Sequence, residues 1–329
     1  MSDTATSAPV TSHRRPFEAG EFFRRYGTLC IFVVLVLGAT FESNAFLTDR
    51  NIMNVLRQIA GTGIMAVGML FVILTGGIDL SVGSILALGS VVSAITIGAQ
   101  GTGLGLGISV LSGAGCGLVT GVLVAYAGLP PFVITLAAMT AVRGFALIIS
   151  NGQPIMMDDT AGALIENFGS GFFLGIPDPV WLMALVFIVA GVVLNFTRFG
   201  RMVKAIGSNR EAVRLSGIPV PRYIMAVYII SGALAAVAGI ITTSRTGVGS
   251  GVIGVGAELN VIAAVVIGGA SLMGGRGGVI NTLLGALVMG VIGNIMNLVG
   301  VPGYNQQVCM GAIIVIAMLL QHGSRWFKR

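Results

Sequence analysis

A chain of 329 residues with 55% hydrophobic and only 9% charged residues, at a mean hydropathy of +0.97, carries too few charges to coat a water-soluble globule. Soluble domains have about 25% charged residues, so a soluble globular domain is excluded and lipid is the solvent this surface suits. The net charge of +6 does not point to nucleic acid, because the basic residues sit in short stretches between or beside apolar runs, as in cytoplasmic loops.

In chain order, residues 1–25 carry Arg14, Arg15, Arg24 and Arg25 with acids between them, and no short apolar region with a small-residue cleavage site precedes them. They read as a retained tail, not a signal peptide. A membrane span needs about 20 mostly apolar residues. That ruler predicts about ten spans in an all-α transmembrane bundle covering 26–321: 26–46, 52–75, 80–99, 104–127, 131–149, 180–196, 223–243, 258–273, 279–299 and 304–321. The eighth is short and reads as broken or partly re-entrant.

Thirteen of the eighteen Lys and Arg residues fall in the N-terminal tail, between Arg198 and Arg222, and in the C-terminal stretch 322–329. The 150–179 loop holds Asp158, Asp159, Glu166 and Asp178 and no basic residue. The positive-inside rule therefore predicts both termini and the 197–222 loop in the cytoplasm and the 150–179 loop outside. Six spans before the basic loop and four after it agree with that scheme.

Glycine makes up 50 residues, roughly twice the usual share. Gly113, Gly117 and Gly121 recur every fourth position, which predicts a helix face for close packing in lipid. ILTGGIDLSVGSILALG near residue 80 and VIGGASLMGGRGGVINTLLGALVMG near 275 share a Gly-Gly break between spans, a weak internal echo. Cys30, Cys116 and Cys309 lie in apolar stretches without CxxC spacing, and His13 and His322 lie in the tails. No metal site, catalytic residue or resident cofactor is expected.

The segment from Arg198 to Arg222 is the most informative polar stretch. Ser208 followed by Glu211 fits a capping box, Gly217 supplies a left-handed stop and Pro219 forbids continuation. A helix over Asn209–Ser216 is predicted, and so short a helix needs something to pack on. Lipid headgroups and a cytoplasmic protein partner both fit its six basic neighbours.

GSNREAVRLSGIPV resembles the coupling-helix segment of ABC-type monosaccharide importer permeases, the family of ribose, xylose, arabinose and galactose importers. ILTGGIDLSVGSILALG (73–89), PPFVITLAAMTAVRG (130–144) and ELNVIAAVVIGGASLMGGRGG (258–278) carry the same resemblance, which covers roughly residues 45–320. Asn260, Ala270 and Asn281 stand where such permeases often have Asp, Thr and Gly. The resemblance implies a bacterial inner-membrane subunit, present as two copies, with cytoplasmic ATP-binding subunits and a periplasmic sugar-binding protein as partners. ATP would be bound by the partner, since Lys204 and Lys328 follow no GxxxxGK[ST] loop. It further implies that Gly207, Asn209, Glu211, Ala212, Leu215, Ser216 and Gly217 couple the chain to that ATPase.

Asp79, with Ser81, is expected either to cap the third span or to line the pathway, and Thr135 and Arg143 are further pathway or gate candidates. Arg143 could equally hold a neighbouring helix through a carbonyl or acid, or snorkel, as Arg57 is expected to do. Glu258 is expected at the outer start of the eighth span. Asp158, Asp159, Glu166 and Asp178 are candidate contacts for a binding protein. The competing function is an ion-coupled secondary transporter, which would need ionisable relays in the bilayer; an intramembrane enzyme lacks the residues for its chemistry.

Overall fold

The computed structural model describes residues 19–157 and 162–326; Asp158, Asp159 and the terminal stretches 1–18 and 327–329 lie outside the described residues. The first half runs α1 (Ala19–Glu42), α2 (Asp49–Leu74), α3 (Val82–Gln100), α4 (Thr102–Ala125), α5 (Pro131–Ile149), β1 (Ile155–Met156), α6 (Ala163–Ser170), β2 (Phe172–Phe173) and β3 (Ile176–Pro177). Then come α7 (Asp178–Phe196), α8 (Arg198–Ser208), α9 (Arg210–Leu215), α10 (Val220–Thr246), β4 (Val248–Gly249), α11 (Ala257–Ile267), α12 (Val279–Leu298) and α13 (Gly303–Trp326).

Among the described residues seven helices, α2, α3, α4, α5, α7, α10 and α12, are long and apolar enough to cross a membrane. The chain is an all-α polytopic membrane protein. The first and tenth expected spans coincide with α1, whose apolar part is Gly27–Glu42, and with α13. Helix α1 starts before residue 26 and α13 runs past 321.

Burial sorts the helices. In α2 and α3 72% of the apolar window is covered by protein, against 17% in α5 and 28% in α7. The first two form the core with α10, while α5 and α7 turn Phe132, Phe145, Ile148, Leu185 and Ile188 outward to lipid. The Gly113/Gly117/Gly121 stripe does what its spacing predicts. A Cβ at Gly117 would lie 2.2 Å from the Tyr228 carbonyl of α10, and one at Gly113 2.4 Å from that of Gly232. Only hydrogen side chains allow two backbones this close, which is how helices gain contact where lipid offers no hydrophobic driving force. Hydroxyls add polar ties: Ser90 of α3 meets Thr243 of α10 at 2.6 Å, and Ser109 of α4 donates to the Gly89 carbonyl at 2.8 Å. Asn51 and Asn294 exchange amide hydrogen bonds of 3.0 and 2.8 Å between α2 and α12.

Two irregular stretches interrupt this packing. After Leu74 the chain turns at Gly76 (φ +82°) and re-enters the bundle before α3 begins. The second stretch, 247–256, pairs β4 with β1 (Ile155↔Gly249, Met156↔Val248) and then descends without helix to Ala257. Gly247, Gly254 and Gly256 all take positive φ, which denies this stretch a helix. Helix α11 is consequently 11 residues long, about 16 Å, half a span.

Candidate functional site

The end of the bundle that carries the basic loop holds two helices where one was expected. Thr197 caps α8 by accepting from the Gly200 amide at 3.3 Å. Helix α8 is amphipathic: Val203 and Ile206 are buried, and Phe199 stacks on Tyr223 of α10 (centroids 5.7 Å apart) with Phe71 of α2 at 6.2 Å. The expected Ser208–Glu211 capping box is not formed. Ser208 closes α8, and Asn209, extended at φ −157°, caps α9 by accepting from the Ala212 amide at 2.9 Å. Both residues are cap formers, and α8 absorbs the first of them. Glu211, released from the cap, accepts from Arg214 Nε at 2.9 Å. That hydrogen bond and the guanidinium charge hold the Glu211 carboxyl below its ordinary range.

Gly217 ends the turn with φ +77°, as expected of a left-handed stop. Of α9 only Val213 is buried; Glu211, Ala212, Ser216 and Leu215, the last 74% exposed, face away from the protein. A short capped helix is thus held out on an anchored one, with an apolar side chain at its tip.

Gly207 fastens this unit to the core. A Cβ there would lie 1.9 Å from the Leu74 carbonyl oxygen and 2.4 Å from the Gly275 amide nitrogen. The same amide donates to that carbonyl at 3.0 Å. The end of α2, the α11–α12 turn and the end of α8 therefore meet at one point. The two Gly-Gly breaks of the weak sequence echo lie side by side there, with Gly76 against the Met273 carbonyl.

Asp79 lies deeper. Gly68 of α2 packs on Ser231 of α10, and Ser231 Oγ donates to Asp79 Oδ2 at 2.7 Å. Gly68 is six residues, about 9 Å, before Leu74, so the chain has turned back into the bundle. Asp79 Oδ1 accepts from the Ser81 amide at 3.0 Å and the Ser81 hydroxyl at 2.6 Å. Both residues are buried, and the expected cap of α3 is not formed: no side chain bonds the first amides of the helix, and Asp79 instead holds Ser81, the residue just before it. Thr135 is buried within α5 and returns its hydroxyl to the Phe132 carbonyl at 3.3 Å.

Arg143 holds the second irregular stretch. Its guanidinium donates to the Gly251 carbonyl at 2.8 Å and to the Ile253 carbonyl. Non-helical backbone at membrane depth must have its polar groups satisfied by protein, and Arg143 supplies that need. Glu258 falls in the first turn of α11, the helix start expected of it. A Cβ on Gly83 would lie 2.4 Å from Glu258 Oε2, so the carboxylate abuts the first turn of α3 inside the bundle. Unwound chain, not helix, precedes α11 over residues 247–256.

At the opposite end, Glu166 of α6 faces Gly247 at the end of α10, and Asp178 starts α7 beside Gly171. Arg57 reaches the Ser170 carbonyl at 3.1 Å and lies 4.8 Å from the Phe172 ring. Trp181 donates to the Phe173 carbonyl at 3.1 Å. Aromatic rings gathered at this end fit an interfacial belt.

The profile of the family described as "Branched-chain amino acid transport system / permease component" matches residues 51–318. The ribose import permease protein of Escherichia coli (strain K12) is 41% identical over 315 residues, covering 95% of this chain and 98% of the relative. That of Bacillus subtilis (strain 168) is 43% identical over 291 residues, 87% and 89% of the two chains. The chain belongs to the ABC-type monosaccharide importer permease family. The L-arabinose transport system permease protein of Escherichia coli (strain K12), 36% identical over 333 residues, aligns with 100% of this permease and 98% of its own length. No solved structure matches. As a permease of this family it is a multi-pass inner-membrane protein.

Sequence reasoning missed several polar side chains that the permease fold brings together between helices: Gln58 and Thr62 of α2, Asn260 of α11, Asn297 of α12 and Gln306 of α13 line one cavity. They are single polar residues in apolar runs, far apart in sequence. Only an i,i+4 pair such as Gln58 and Thr62 hints at a shared face.

Proposed function

We propose that this chain is the membrane-spanning subunit of an ATP-driven, binding-protein-dependent importer of monosaccharides. In this reading it forms the translocation pathway and is driven by a separate ATP-binding subunit seated on α9. The near full-length relatives named for ribose and arabinose support the monosaccharide class. The proposed topology has ten membrane elements, α1 to α5, α7, α10, the α11 half-span with its unwound lead-in, α12 and α13. Both termini and the α8–α9 unit face the cytoplasm. Two copies, two ATP-binding subunits and a periplasmic sugar-binding protein complete the proposed assembly, and ATP is hydrolysed by the partner.

The observation that carries the reading is the Gly207 junction. An exposed helix on a protein surface is a docking element only if its movement reaches the membrane part. Here α9 is capped directly onto α8, and α8 rests against the ends of α2 and the α11–α12 turn with no side chain between the backbones. Close-packed contacts transmit displacement instead of absorbing it. On this reading Gly207, Asn209, Glu211, Ala212, Leu215, Ser216 and Gly217 serve coupling. Asp79, Ser81, Thr135 and Arg143 keep the broken helices in place beside the pathway, and the acids of the 150–179 loop remain docking candidates for the binding protein.

A thiol placed at the tip of α9 tests the docking. Leu215→Cys, in a chain whose native cysteines are replaced, is expected to cross-link to the ATP-binding subunit in the assembled complex. Efficient cross-linking only to lipid-reactive probes would return the basic loop to the role of a headgroup anchor.

A further inference from the structure

A cavity of about 150 Å³ lies between α2, α11, α12 and α13, in the half of the bundle away from the Gly207 junction. Its polar lining is four carboxamides and one hydroxyl: Gln58, Asn260, Asn297, Gln306 and Thr62, and among the described residues no ionisable side chain borders it. Gln306 donates to Asn297 Oδ1 and to the Val301 carbonyl, both at 2.8 Å, which fixes one wall. The side chains of Gln58, Thr62 and Asn260 make no hydrogen bond within the described residues. Unspent donors and acceptors inside a cavity between helices cost free energy unless something polar meets them. Helices that merely packed on each other would carry Leu or Ala at these positions.

Resting on the permease reading above, we infer that this cavity is the outer part of the solute path, built for a neutral polyhydroxylated molecule. Each carboxamide offers both a donor and an acceptor, as each hydroxyl of such a solute does, so pairs can be exchanged as it advances. An inorganic ion would find no counter-charge in this lining. A zwitterionic amino acid would find neutral dipoles but no counter-charge for its ammonium and carboxylate groups. Helix α2 ties the cavity to the drive: Thr62 is twelve residues before Leu74, about 18 Å along one unbroken helix. Helix α11 does the same from Asn260 to the turn that meets Gly207.

Gly293 of α12 provides the test, because it borders the cavity and a Cβ there meets nothing within 4 Å. Gly293→Leu therefore places its side chain in the path without disturbing helix packing. In proteoliposomes holding the full complex, ATP-driven uptake of labelled ribose is expected to fall at least about tenfold. Gly115→Leu, equally roomy but on the exposed side of α4, is expected to transport like the wild type. A second readout needs no transport. Gly293→Cys, with Cys30, Cys116 and Cys309 replaced by Ala, is expected to react with a water-soluble thiol reagent added from outside. Excess ribose with the binding protein is expected to slow that reaction. Normal uptake by Gly293→Leu, or an unreactive Gly293→Cys, overturns the inference while leaving the permease reading intact. A wild-type complex without ATP-driven uptake overturns both.

Discussion

Asp79 is the polar residue on which the first chain break depends. Its two oxygens take three hydrogen bonds, from the Ser81 amide, the Ser81 hydroxyl and the Ser231 hydroxyl, in a site closed to solvent. Asp79→Ala strands all three donors, and a loss of about 3 kcal/mol is expected. Ser231→Ala removes one bond and should cost about 1–2 kcal/mol. Thermal unfolding in detergent measures both; equal, near-zero losses would mean these bonds contribute nothing. Glu211 illustrates the other extreme, an exposed ion pair. Its folded pKa is lowered, chiefly by the Arg214 hydrogen bond. The small stability it adds is therefore present above the ordinary carboxylate range and lost as pH falls through the lowered value. Carboxyl NMR should find a midpoint below the usual Glu value that rises toward it in Arg214→Ala; an unshifted midpoint in the native chain would remove the pair.

At the scale of elements, the α8–α9 unit is the part whose geometry bears most directly on coupling. Gly207→Ala cannot be accommodated without parting α8 from Leu74, since the added carbon would sit 1.9 Å from a carbonyl oxygen. The outward face of α9 is untouched by that change. The expected variant still binds its ATP-binding subunit but no longer converts hydrolysis into uptake. Gly217→Pro acts from the other side, because φ +77° is closed to proline, and should also uncouple. Wild-type uptake in either variant, with hydrolysis measured in parallel, would remove α9 from the mechanism. The sequence made much of this readable: the helix, its glycine stop and its basic setting all follow from local residue chemistry. The cap did not, because Ser208 and Asn209 are adjacent cap formers and the choice between them depends on where α8 ends. Helix α8 itself is hidden by a Gly and two basic residues in its first turns, and becomes a helix because Phe199, Val203 and Ile206 find a surface on α2 and α10.

Across the whole molecule, apolar run length located the seven described helices that are long and apolar enough to cross a membrane, since a bilayer imposes one length on every span. It could not show where the chain runs without helix. Glu258 does lie in the first turn of α11, but the glycines from 247 to 256 keep the chain before it unwound, with carbonyls held by Arg143, and the helix is only 11 residues long. Nor could the polar cavity be read from sequence, because its amides come from four helices joined only by packing. The same architecture gives a simple mechanical scheme. α2 and α11 each run from the Gly207 junction to the polar cavity, and the glycine-packed α4–α10 pair offers them a stiff support. Widening that pair with Gly117→Leu, against a backbone 2.2 Å from its Cβ, is expected to lower stability by several kcal/mol. A Tm unchanged in that variant would contradict the packing described.

The most direct measurement is uptake of labelled ribose by proteoliposomes containing this chain, its ATP-binding subunits and the binding protein. ATP would be supplied only on the side of the α8–α9 unit, with no ion gradient. The account predicts accumulation against a gradient that requires ATP and the binding protein. Accumulation that ignores ATP and follows an imposed proton or sodium gradient would contradict it and point to an ion-coupled transporter.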